Sequence, residues 1–117
     1  MFPSGLWAGF WQMASEDPFD NLHDLRLTFD DGEVSGGGED MVGRFTMTGV
    51  VQEDRVVVSK KYVGMHTVLY SGKVDADGCI VGRWDIPGDG SGRFIWVPPG
   101  LDPTPPVERW ARGGRRG

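Results

Sequence analysis

A period of two runs through almost the whole chain and is broken at short intervals by turn residues. Leu25, Leu27 and Phe29 fall on one side of an extended segment, with Asp24, Arg26 and Thr28 on the other. Asp30-Asp31-Gly32 follows at once. Alternation of apolar and polar residues marks a half-buried strand, and Asp-Gly tolerates the positive φ of a tight hairpin turn. The same pattern predicts eight strands, at 6–13, 23–29, 33–37, 43–51, 55–62, 65–74, 79–86 and 93–97. One helical turn is predicted before the second strand, where Ser15, Glu16 and Asp17 precede Pro18 and the turn runs on to Leu22. Nineteen glycines argue against further helix and for many turns and tightly bent strands.

Strands joined by short turns pair in sequence and antiparallel. An open meander leaves two unpaired edges, and eight is a strand number at which a barrel closes around packed side chains or one small ligand. The expected fold is an all-β, eight-stranded up-and-down barrel over residues 1–98. A Pro/Arg-rich tail follows over 99–117, which Pro103, Pro105 and Pro106 are expected to keep extended. Trp110 stands alone in this tail, placed to dock on the barrel or on a partner.

Charge and cysteine usage narrow the function classes. The net charge is −5; the first 98 residues carry −7 and the tail +2. An acidic body repels nucleic-acid phosphates, so no nucleic-acid partner is expected. Nor is a membrane partner expected, because no apolar run approaches the ~20 residues of a spanning helix. A single cysteine, Cys79, allows no internal disulfide and fits a reducing compartment. The N-terminus shows no signal-like pattern, so the expected location is cytoplasmic.

The phrase Gly-Arg-aromatic occurs three times, at Gly43-Arg44-Phe45, Gly82-Arg83-Trp84 and Gly92-Arg93-Phe94. In each copy the aromatic and the apolar residue two positions on share a face, with arginine opposite. The arginines read as solvated outward residues facing cross-strand acids such as Asp85, or else as an anion-binding row. The inside face is then Phe45, Met47, His66, Val68, Tyr70, Ile80, Trp84, Ile86, Phe94 and Trp96.

Polar groups on that face are few. Lys60-Lys61 must place one lysine on each side of the wall. Lys60, Tyr62 and His66 should gather at one barrel end, near Tyr70, and could work as acid–base or anion-binding groups. Glu39 and Asp40 lie in a glycine-flanked loop at the rim, where a carboxylate could orient a ligand or pair with Lys60 or Lys61. Trp84 is expected to line the interior. Two histidines and one cysteine cannot assemble a zinc cluster, and Asp75-Ala76-Asp77-Gly78 lacks the ligand spacing of a calcium loop. No metal or cofactor is expected.

The opening Gly5-Leu6-Trp7-Ala8-Gly9-Phe10-Trp11, followed by an eight-strand meander, resembles the lipocalin/avidin (calycin-like) barrels. The stretch from Gly36 through Lys60-Lys61-Tyr62-Val63-Gly64-Met65-His66 to Gly82-Arg83-Trp84 also resembles an uncharacterised family of small β domains. That family has a Gly-x-Phe, Lys-x-Tyr-x-Gly-x-His, Gly-x-Trp order, and a related domain occurs in some F-box substrate receptors. The resemblance spans residues 5–97, and its motifs are structural. The biotin-binding residues of avidins are not matched, so biotin is not implied.

The leading expectation is a non-catalytic module that binds a small apolar ligand or a peptide end. Lys60, Tyr62, His66, Tyr70, Trp84 and Asp40 are the candidate site residues. The alternatives are a filled barrel that serves protein interaction through outward Val50, Val57 and Val63, and a cofactor-free isomerase or cyclase using His66, Tyr70 and Lys60.

Overall fold

The computed structural model describes residues 2–13, 20–40, 42–64 and 66–113, with the backbone alone for 20–23 and 111–113. Eight strands run β1 Gly5–Gln12, β2 Asp20–Asp30, β3 Glu33–Glu39, β4 Arg44–Gln52, β5 Arg55–Tyr62, β6 Thr67–Val74, β7 Ile80–Ile86 and β8 Gly90–Val97. Each pairs antiparallel with the next, and β8 pairs back to β1. The barrel is therefore closed, and no edge is left over.

The alternation read from the sequence is what buries the core. On β5, Val56, Val58, Lys60 and Tyr62 are buried, while Arg55, Val57 and Lys61 are exposed. The β2–β3 turn is the expected tight hairpin, with φ of 52° at Asp31 and 79° at Gly32. Trp7, Leu25, Leu27, Ile80 and Trp96 have no exposed surface, so no water-sized space adjoins them. Tyr70, Phe94 and Trp96 pack with ring centroids 4.8 to 5.0 Å apart. The middle of the barrel is solid.

Three expectations need correction. β2 begins at Asp20, earlier than the alternation suggested, so Leu22 belongs to a strand; the rest of the predicted helical turn, at 15–19, lies outside the described residues. His66 precedes β6 and is exposed, although it shares the parity of buried Val68 and Tyr70. Parity assigns a face only while the chain stays in the sheet.

The tail is not extended. Thr104–Gly113 form helix α1. Pro105 and Pro106 fall in its first turn, where a missing N–H costs nothing and the fixed φ suits a helix. The Asp102 side chain accepts a hydrogen bond from the Thr104 amide at 3.0 Å. Val107 and Trp110 then cover a second small cluster, Cys79, Ile95 and Val97, on the outside of the wall. That is why β8 is buried without a break from Phe94 to Val97. Among the described residues, no helix is long and apolar enough to cross a membrane.

Candidate binding site

Alternate connections of an up-and-down barrel share an end. The β3–β4, β5–β6 and β7–β8 connections meet at one end. The β2–β3, β4–β5 and β6–β7 turns meet at the other, together with the start of β1 and the exit of β8.

At the first end the structure gathers Asp40, Lys60, Tyr62 and Tyr70. The Lys60 side chain is 2% exposed and that of Asp40 4%. Lys60 Nζ donates to Asp40 Oδ2 at 3.5 Å, and the Tyr62 hydroxyl donates to the same oxygen at 2.5 Å. Asp40 Oδ1 accepts from the amides of Val42 and Gly43, at 2.9 and 3.3 Å. The loop thus wraps its own carboxylate and aims it inward. The ammonium also lies 4.8 Å from the ring centroids of Phe45 and Tyr62, and 5.5 Å from that of Tyr70. It is a buried cation in an aromatic cage with one carboxylate at its open side.

The other two predicted residues stand apart. His66 sits on the rim, its ring 5.1 Å from that of Tyr62. Trp84 faces the β8–β1 closure, donating to the Gln12 carbonyl at 3.1 Å and meeting Trp11 edge-on. Lys60 and Tyr70 are closed into the core while His66 faces out, so the three do not line one open cavity.

Burial dominates the titration of this end. It lowers the pKa of Lys60, against the opposing pull of Asp40. It raises Tyr62, with help from the bond to Asp40, and raises Tyr70. Burial also pushes the Cys79 thiol up to about 12, aided by Asp75 and Asp77. A raised pKa adds stability that is complete below the unfolded value and is lost as pH climbs through the folded one. For Cys79 that window runs from about 9 to about 12, and for the tyrosines it opens near pH 10. Lys60 works the other way, gaining stability as pH rises toward its unfolded value of 10.5. Stability should therefore fall most steeply above about pH 10.5, by ~1.4 kcal/mol per pH unit for each group holding an extra proton. Urea titrations across pH 8 to 12 check this, and Cys79→Ala should remove the earliest part of the loss.

The opposite end carries an open groove of about 830 Å³, within the range of small-ligand sites. Phe2, Phe29, Val51, Val74 and Leu101 supply apolar walls, and Pro98 and Pro99 lie where the chain leaves the barrel. Phe2 stacks on Phe29 at 5.1 Å, and Ser4 Oγ accepts from the Phe29 amide, so the N-terminal residues fold back as one wall. The rim carries Asp30, Asp31, Glu33, Glu53, Asp54 and Asp77; among the described residues no lysine or arginine lines the groove itself, while Lys73 pairs with Asp54 and Arg109 with Asp77 from outside it. Among the described residues, no group of three or more His, Cys, Asp or Glu converges to hold a metal ion.

The chain matches no family model, and no curated protein or solved structure matches it significantly. The function has to be read from the geometry.

The groove was missed in the sequence, yet its signal was there. Asp30-Asp31-Gly32-Glu33, Glu53-Asp54 and Asp75-Ala76-Asp77-Gly78 are separate turns. Counting connections two by two puts all three at one end, beside Pro98-Pro99.

Proposed function

We propose that this chain is a non-catalytic binding module that holds a small apolar ligand or a peptide end over the acidic end of its barrel. One observation carries the reading: the barrel middle is filled, while an open groove of about 830 Å³ with apolar walls lies across this end. The carboxylate rim selects for a ligand whose polar part is cationic, such as an amine or a free peptide N-terminus. Kinship with calycin-type barrels belongs to the same proposal. Its support is the strand number, the sequential pairing, and an opening strand whose Trp7 is fully buried. The ligand position differs from that of a cup-shaped barrel, because side chains occupy the interior.

A second reading, a filled barrel that docks a protein through its wall, draws on Val50 and Val57. They are cross-strand partners, 54% and 53% exposed. Val63 is more exposed but lies in the turn after β5, away from that pair.

Calorimetric titration with the dipeptide amide Phe-Leu-NH2, free and N-acetylated, tests the main reading. The free amine should bind, acetylation should weaken binding roughly tenfold, and Leu101→Ser should weaken both. Equal binding of both forms, or no effect of Leu101→Ser, contradicts it.

A further inference from the structure

The outward faces of β5 to β8 set like charges opposite one another. Arg55 stands directly opposite Lys73, and Arg83 directly opposite Arg93. Opposed side chains on antiparallel strands start roughly 5 Å apart at Cβ, and like charges there destabilise the pair. Of the three arginines of the repeated phrase, Arg44 does stand opposite an acid, Glu39. The cross-strand neighbours of Arg83 are instead Ser71 and Arg93, and Asp85 faces Leu69 and Ser91. Lys73 lies 3.9 Å from Asp54, with both side chains half-exposed.

The four cations surround one concavity of about 400 Å³. Gly72 and Gly82 contribute backbone to its floor, and Trp110 of α1 forms one side. The two guanidinium groups are held in place. Arg93 donates to Gln12 Oε1 at 3.4 Å and to the Trp110 carbonyl at 3.0 Å. Arg83 donates to Ser91 Oγ at 3.3 Å. Gln12 is 1% exposed, so one of these anchors is buried. Burial, and then the charge of Arg83, both work against the positive form of Arg93. A negative group between the two arginines would turn their repulsion into shared attraction.

We propose that this concavity binds a small organic phosphate, with the phosphoryl group between Arg83 and Arg93 and the organic part against Trp110. A carboxylate is satisfied by one planar guanidinium, whereas a phosphoryl group has oxygens to share between two such forks and a neighbouring ammonium. The volume exceeds what a bare phosphate fills and is in the small-ligand range. This site lies on the wall, apart from the groove over the acidic end, with the half-exposed Lys73–Asp54 pair between them.

Titration of the whole chain with phenyl phosphate, inorganic phosphate and benzoate at physiological ionic strength tests the assignment. Phenyl phosphate should bind at least roughly tenfold more tightly than either of the others. Arg83→Gln should weaken it roughly tenfold or more, yet raise the thermal midpoint of the unliganded protein by removing the like-charge pair. Lys73→Gln should weaken it in the same direction. The proposal is overturned if phenyl phosphate fails to bind at millimolar concentration, if inorganic phosphate binds as well, or if Arg83→Gln binds as the parent does.

Discussion

Asp40→Asn should cost the barrel about 3–5 kcal/mol at pH 7, whereas Lys60→Met should cost clearly less, because Asp40 keeps three hydrogen bonds. The two substitutions break the same ion pair, but they strand different groups. Without the Asp40 charge, Lys60 keeps three aromatic rings and loses the carboxylate that is its hydrogen-bond acceptor. The cost has a ceiling, because the amine can escape by losing its proton. Neutralising an ordinary lysine at pH 7 costs about 5 kcal/mol. The penalty should therefore shrink as pH rises toward 10.5, the value the unfolded chain keeps. Without Lys60, by contrast, Asp40 still accepts from Tyr62 and from two backbone amides, and a methionine fills the cage. Chemical denaturation of the two variants and their double mutant checks the asymmetry. The double mutant should recover most of the loss seen in Asp40→Asn. Equal destabilisation by both single variants would mean that the pair is held for its attraction and that desolvation is minor.

Gly82→Ala should destabilise by about 3 kcal/mol or more, a large share of the stability of a small domain. A Cβ at Gly82 would stand 2.0 Å from the Ser71 carbonyl oxygen and 2.6 Å from the Gly72 Cα. Both are backbone atoms of the adjacent strand, so no side-chain rotation relieves the clash. The two glycines are register partners, and the backbones of β6 and β7 leave no room for a side chain there. Gly90→Ala is the control, since a Cβ there meets nothing within 4 Å. Thermal and urea unfolding of the pair should give a large loss for the first and under about 0.5 kcal/mol for the second. Comparable losses would show that chain flexibility, and not the close approach of β6 and β7, sets the need for glycine.

The barrel was legible because its determinants are local. Alternation such as Leu25-Arg26-Leu27 and turns such as Asp31-Gly32 are written in consecutive residues, and closure follows from the strand number. Nine of the ten residues expected inside are buried or packed against the core; His66 lies outside because it precedes the strand whose parity it shares. The pairing of Asp40 with Lys60 was within reach for the same reason, a rim loop above an inward lysine. What could not be read was long-range. The continuous Phe94-Ile95-Trp96-Val97 run hinted that β8 is covered on both faces, but nothing nearby named the cover. It is α1, whose three prolines in and before its first turn suggested an extended tail. The arginine register was hidden too, because two copies of one phrase pair with each other only after the strands align.

The central claim is that binding occurs over the acidic end. Amide chemical shifts during titration with 3-phenylpropylamine and, separately, 3-phenylpropionate test it most directly. The two probes share an apolar body and differ in the sign of charge. The amine should move the amides of Gly32, Gly78 and Gly100, which line the groove, and leave Gly38 and Gly64 at the far end unchanged. The acid should move none of the groove amides at the same concentration. Shifts centred on Gly38 and Gly64, or equal groove shifts from both probes, would contradict the account.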